Sequence, residues 1–178
     1  MGGELKLCEI EEIARPVAKT NFVECGTYLG HTTLTASGIF EKVHTIEIME
    51  PLYLLAQEMC KDRTNIEFHL GDTCKILPEL VQGLEGDTVF FLDSHQSGQD
   101  TGNNGKWVPL LDELEIILSN LKNSDHKYIF IIDDVRLWSN AWDWTDISTD
   151  TVLEVFRRNG FNPMNSYEAN DRFVIRII

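Results

Sequence analysis

Two unbroken apolar runs, each closed by carboxylates, constrain this chain more than anything else in it: Thr88-Val-Phe-Phe-Leu-Asp93 and Tyr128-Ile-Phe-Ile-Ile-Asp133-Asp134. A strand with one wet face alternates apolar and polar side chains. A continuous run of β-branched and aromatic residues belongs instead to a strand covered on both faces, as in a parallel sheet between two helical layers. The second run, read as a strand over residues 127–132, is predicted to lie at the centre of that sheet. In an open α/β sheet, ligands bind in the crevice beyond the carboxyl ends of the strands. Asp93, Asp133 and Asp134 are therefore predicted to converge at one sheet edge, where three carboxylates repel one another unless a cation or protons neutralise them. A hard divalent ion is the simplest occupant, although any one of these residues also suits a turn or a helix cap.

The rest of the chain alternates in the same sense. Strands are predicted over 21–24, 43–48 and 65–70, besides 88–92 and 127–132. Helices are predicted over 32–40, 51–60, 73–82, 109–120 and 149–159, after a lead-in helix within 5–19. Strands over 161–167 and 172–178, joined by Glu168-Ala-Asn-Asp171, read as an antiparallel hairpin added to a parallel sheet. The expected fold is a single α/β domain over residues 1–178, a three-layer sandwich around a mostly parallel seven-stranded sheet.

The 178 residues carry 15 basic and 29 acidic side chains, a net charge of -14, which disfavours nucleic acid and anionic membrane surfaces as partners. Cys8, Cys25, Cys60 and Cys74 are scattered with no zinc-type spacing, and read as reduced, mostly buried thiols. The opening Met-Gly-Gly-Glu-Leu-Lys lacks a signal-peptide core and no apolar run is long enough to span a bilayer, so a cytoplasmic location is expected.

Between the first strand and the next helix, Glu24-Cys-Gly26-Thr-Tyr28-Leu-Gly30-His-Thr32 offers two glycines for a sharp turn and close approach to a ligand. Its E-x-G-x-x-x-G spacing lacks the third glycine of a dinucleotide fingerprint. Glu47, at the end of the second strand, is placed to accept hydrogen bonds from ribose hydroxyls.

From Phe22 to Asp134 the chain resembles the class I S-adenosylmethionine-dependent methyltransferases. Within them it is similar to metal-assisted O-methyltransferases, the macrocin-type sugar enzymes and catechol O-methyltransferase. The resemblance implies a Rossmann-like fold and assigns roles. Glu24, Gly26, Tyr28, Gly30 and Thr32 match the motif at the amino-acid end of the cofactor, and Glu47 matches the ribose-binding acid. Gly71-Asp72-Thr73 matches the adenine-side loop, and Asp93 adjoins the cofactor. Asp93, Asp133 and Asp134 match positions that bind Mg²⁺ or Mn²⁺.

The implied reaction is methyl transfer to a hydroxyl, which must lose its proton as it attacks. Where catechol-type enzymes carry a lysine base this chain has Gln96, so His95, beside Asp93, is nominated as the base and Gln96 as an acceptor contact. The polar stretch 94–106 suits a cover over a polyol. Arg136-Leu-Trp138-Ser-Asn-Ala-Trp142-Asp-Trp144 gathers three of the four tryptophans and reads as a carbohydrate platform, with Arg136, Trp138 and Trp142 as acceptor contacts. The acceptor is expected to be a sugar or glycan hydroxyl, a rhamnose-like deoxyhexose among them, and a homodimer is compatible with the sequence. A catechol-type acceptor, an NAD-dependent oxidoreductase and a non-catalytic cofactor-binding module are the alternatives. His31 is expected to pack beside the cofactor loop, and His44, His69 and His126 have no assigned role.

Overall fold

A computed structural model of the protein describes residues 3–96, 105–121, 125–140 and 143–178. Seven strands form one sheet in the order β3-β2-β1-β4-β5-β7-β6. They are β1 (Asn21–Cys25), β2 (Lys42–Glu47), β3 (Ile66–Leu70), β4 (Thr88–Leu92), β5 (Tyr128–Ile132), β6 (Asn165–Ala169) and β7 (Arg172–Ile177). The first five run parallel, while β7 is antiparallel to both β5 and β6. The central position belongs to β4 rather than to β5, whose far neighbour is β7.

The apolar runs become strands for the reason anticipated: every residue of β4 and of β5 is buried. Phe90 of β4 stacks on Phe130 of β5 with ring centroids 5.0 Å apart, and Phe130 meets Phe156 edge-on. Those rings belong to the core on one face, closed by Leu77 and Val81 of α4 (Thr73–Gly83), Leu114 and Ile117 of α5 (Leu110–Asn120), and Val155 of α6 (Thr149–Arg158). On the other face Phe22, Val89, Phe91, Ile129 and Ile131 pack with Ile10 and Ile13 of α1 (Leu7–Ile13) and Ala36 of α2 (His31–Ser37). α3 (Glu50–Met59) runs beside α2 and β3. Burying each of these large side chains stabilises the fold by about 1.5–3 kcal/mol, which is why the β4 and β5 runs sit in the middle layer.

The hairpin forms where it was expected, although β6 begins four residues later than the predicted strand. Asn170 and Asp171 have φ of 52° and 66°, two left-handed residues between the paired Ala169 and Arg172. That is the conformation of the two-residue turns that match strand twist, and Asn and Asp adopt it at low cost. No described helix is long and apolar enough to cross a membrane. Cys25 and Cys60 are buried, Cys8 is exposed, and all four thiols are free.

The chain leaves β1 toward β2 and β3 on one side, then returns through α4 to lay β4 on the other side of β1. The crevice between the carboxyl ends of β1 and β4 is thus the place where strand order reverses, the position at which open sheets bind ligands. Close contact of the two strand ends shapes it. Asp93 N–H donates to Cys25 O at 2.9 Å, and a Cβ on Gly26 (φ 94°) would lie 2.3 Å from the Asp93 carbonyl oxygen. Only glycine fits there.

Candidate active site

Over this crevice lies a cavity of about 890 Å³, in the size class of small-molecule sites. Eight of the nine residues predicted for the cofactor line it: Glu24, Gly26, Tyr28, Thr32, Glu47, Asp72, Thr73 and Asp93. Gly30 does not. It caps the start of α2 at φ 85°, where a Cβ would press on Ala56 of α3, so its role is to let α2 begin close to α3. His31 follows it and also lines the cavity.

Each carboxylate in the cavity is held by donors that its strand end brings to it. Glu24, 1% exposed in β1, accepts from the hydroxyls of Thr33 (2.5 Å) and Thr45 (2.6 Å). Burial pushes its carboxyl up to about 8 against those two hydrogen bonds, with the charges of Asp93 and Glu47 adding to the rise. Glu47 ends β2 and accepts from Tyr28 N–H and Met49 N–H, both at 2.9 Å, which fixes the orientation of its oxygens. Asp72 caps α4 through Cys74 N–H at 3.0 Å.

One residue that sequence reasoning missed binds these parts together. Glu113 sits on the apolar face of α5, is 1% exposed, and accepts from Thr73 and Ser94 hydroxyls, each at 2.5 Å. Burial raises its pKa against those bonds. It ties the start of α4 to the segment after β4. The signal was a lone acid amid Leu110, Leu114, Ile117 and Leu118, but its partners lie 19 and 40 residues away.

The three aspartates predicted to hold a metal divide between two groupings. Asp93, His95 and Asp134 each place one donor atom within 4.8 Å of the others. His95 bridges the carboxylates, with Nδ1 3.3 Å from Asp93 and Nε2 2.9 Å from Asp134, and Trp144 lies edge-on to its ring. Asp133 belongs to the second grouping, with Asp134 and Asp171; it also accepts from Gly3 N–H at 2.7 Å and lies 3.3 Å from Arg172 Nε. Asp134 adopts φ 62° and also pairs with Arg136, which reaches Asp171 as well.

These pairings answer the premise that the acids need an added ion. Arg172, Arg136 and His95 already neutralise them from within the protein. Burial alone would lower His95, but the two carboxylates hold it up at about 10, so in the free protein it is an imidazolium and not the neutral base expected from its position. Burial raises Asp93 to about 6, against the hydrogen bond from His95. Burial would raise Asp134 too, yet His95 and Arg136 outweigh it and hold the carboxyl below its usual range.

A divalent ion nevertheless fits the donor chemistry of Asp93, His95 and Asp134. Two carboxylates and one imidazole suit Mn²⁺ better than Mg²⁺, which prefers oxygen alone. Such an ion would take the place of the His95 proton.

The expected acceptor platform is not assembled. Trp138 is 5% exposed and packs edge-on against Phe173, and Trp144 is equally buried, because the segment after β5 folds back onto the core. Trp142 lies outside the described residues, as do residues 97–104 of the predicted cover. Gln96 does not line the cavity; its N–H donates to Trp107 O at 2.9 Å. Arg136 does line it. Among the described tryptophans the exposed one is Trp107, 42% exposed beside the cavity-lining Lys106 and distant in sequence from the other three.

No family model and no curated protein matches the chain by sequence. Solved structures do match it in fold. A candidate caffeoyl-CoA O-methyltransferase from Staphylococcus aureus superimposes with a TM-score of 0.63 at 17% identity, covering 98% of this chain and 83% of the other. The N-methyltransferase NodS from Bradyrhizobium japonicum gives 0.59 at 13%, with 96% and 90% covered. Aeropyrum pernix fibrillarin, solved with natively bound S-adenosyl-L-methionine, gives 0.58 at 15%, with 91% and 67% covered. The fold is therefore the Rossmann-like fold of the class I S-adenosylmethionine-dependent methyltransferases.

Proposed function

We propose that the protein transfers a methyl group from S-adenosylmethionine to a hydroxyl of a sugar or related polyol, with a divalent ion, Mn²⁺ before Mg²⁺, assisting. The observation that carries this reading is the placement of Asp93, His95 and Asp134 in the same cavity as Glu24 and Glu47, at the reversal of strand order. Glu24 and Asp93 suit a ligand bearing a sulfonium and an ammonium, and oppose the pyrophosphate of a nicotinamide dinucleotide. Glu47 is oriented for a ribose diol and Asp72 stands on the adenine side.

In the transfer, the acceptor oxygen bonds to the methyl carbon as the carbon–sulfur bond breaks and its electron pair leaves with sulfur. The hydroxyl proton passes to the Asp93 carboxylate. A bound ion would supply Lewis acidity that lowers the hydroxyl's pKa. Chain residues supply the rest: Gly26 lets the crevice close against Asp93, and Asp134 holds the second nitrogen of His95. The acid-lined cavity favours a neutral acceptor over a phosphorylated one, and exposed Trp107 offers an apolar face at the rim for the C–H side of a sugar ring.

The test is methyl transfer from S-adenosylmethionine to a panel of diol sugars and catechols, with Mn²⁺ and after chelation by EDTA. Turnover on a sugar diol that EDTA abolishes and Mn²⁺ restores is expected. Turnover unaffected by EDTA removes the ion from the reading. Preference for catechols replaces the sugar, and binding of NAD but not S-adenosylhomocysteine overturns the whole reading.

A further inference from the structure

Away from the cavity, strand pairing gathers three metal-ligating side chains that the reaction does not use. The parallel register sets Glu67 of β3 beside His44 of β2 and His69 beside Ile46, so all three project on the face that Ile46 shares. His44 Nδ1 lies 3.4 Å from His69 Nε2 and 3.6 Å from a Glu67 oxygen, and His69 Nε2 lies 3.7 Å from the other Glu67 oxygen. Zinc bonds of about 2.0–2.1 Å in a tetrahedron place neighbouring ligand atoms roughly 3.4 Å apart. The spacing of this trio is close to that.

A second observation points the same way. His44 is 3% exposed and turns its Nδ1 toward His69 and Glu67, while its Nε2, which faces away from the trio, is buried without a hydrogen-bond partner. A buried imidazole whose Nδ1 faces a second imidazole and a carboxylate suits a ligand. Burial lowers both histidines, His44 to about 4, so their lone pairs are free at neutral pH. Glu67 is half exposed, which leaves an entry route and room for water as a fourth ligand. Lys42, 3.0 Å from Glu67, is itself half exposed and able to swing aside.

We propose that His44, Glu67 and His69 form a binding site for a transition-metal dication of the Zn²⁺ class, which clips the edge strand β3 to β2. Two histidines and a glutamate are a zinc donor set, and among the described residues β3 has no strand on its outer side to hold it. The clip lies one strand residue before the end that carries Leu70 and Gly71, and Gly71 N–H donates to Glu47 O at 2.8 Å.

The experiment adds Co²⁺, then Zn²⁺, to chelator-stripped protein and to the His69→Asn, Glu67→Gln and Asp134→Asn variants. Visible Co²⁺ bands of a four-coordinate nitrogen–oxygen site are expected in the wild type and in Asp134→Asn, lost in both other variants. Zn²⁺ at a hundredfold its dissociation constant is expected to raise the Tm of Asp134→Asn, which lacks the cavity site, by about 5–10 °C and to leave the double variant Asp134→Asn, His69→Asn unmoved. Bands that persist in both His69→Asn and Glu67→Gln, or that vanish only in Asp134→Asn, assign the metal to the cavity and overturn the proposal. If His69→Asn fails to fold, Glu67→Gln decides alone, since its half-exposed side chain leaves the buried imidazole in place.

Discussion

Replacing Glu24 with glutamine should stabilise the free protein at neutral pH while weakening its hold on the cofactor. The carboxyl titrates near 8 in the fold against 4.5 as a free side chain, chiefly because burial disfavours its charge. The folded state therefore binds the proton more tightly, and its advantage is complete below pH 4.5. As pH rises from 4.5 to 8 the unfolded state sheds that proton first, and stability falls by about 1.4 kcal/mol per pH unit. Between 4.5 and 7 that amounts to 2.5 × 1.36, or about 3.4 kcal/mol, which glutamine does not lose. Glutamine keeps the one oxygen to which both Thr33 and Thr45 donate but must place two N–H donors, an offset of about 1–2 kcal/mol. The net expectation at pH 7 is a gain of about 1–3 kcal/mol. Urea unfolding of both proteins at pH 5, 6, 7 and 8 measures it, and the difference between them cancels the other titrating groups. Calorimetry with S-adenosylhomocysteine should show affinity about 10- to 100-fold weaker in the variant, the scale for losing a hydrogen bond to a charged group. Stability curves that run parallel from pH 5 to pH 8 would refute the assignment of a neutral, buried Glu24.

Gly26→Ala should cost about 3–5 kcal/mol, since its Cβ meets the Asp93 carbonyl at 2.3 Å and its φ is 94°. A Tm lower by about 10 °C in a thermal melt is the check. Asp133→Asn should destabilise the fold by about 2–3 kcal/mol, by leaving Arg172 with Glu9 as its remaining carboxylate partner; on the proposed metal site it should retain Mn²⁺ binding, whereas Asp134→Asn should lose it. Urea melts and Mn²⁺ electron paramagnetic resonance separate the two, and equal loss of Mn²⁺ in both variants would restore Asp133 to the site.

The sheet was legible because two of its inner strands, β4 and β5, are apolar almost throughout, a pattern that helices and half-wet strands do not share. The hairpin was legible because Asn170 and Asp171 tolerate left-handed backbone. What failed were judgements about which way a side chain faces. Asp133 and Asp134 are adjacent, and an oxygen of each lies within 4.8 Å of the other and of Asp171, yet the left-handed turn at Asp134 gives the first Arg172 and the second His95 and Arg136 as ion-pair partners. Trp138 and Trp144 lie in a segment with no periodicity to reveal that it folds back over the core. Glu113 and the pair His44 and His69 were unreadable for another reason. Their partners come from strand register and helix packing, across distances in sequence that no local motif spans.

The reversed direction of β7 has a geometric result for the acidic rim. Five parallel strands bring their last residues to that rim, and in this chain Glu24, Glu47, Asp93 and Asp133 lie at or next to those ends. A strand entering the opposite way presents its first residue there instead, and in β7 that residue is Arg172, preceded by the turn whose Asp171 receives Arg136. The tail hairpin is thus the scaffold's counter-ion carrier: a chain ending after α6 would keep its carboxylates but lose the guanidinium that balances Asp133 and the anchor that steadies Arg136 beside Asp134.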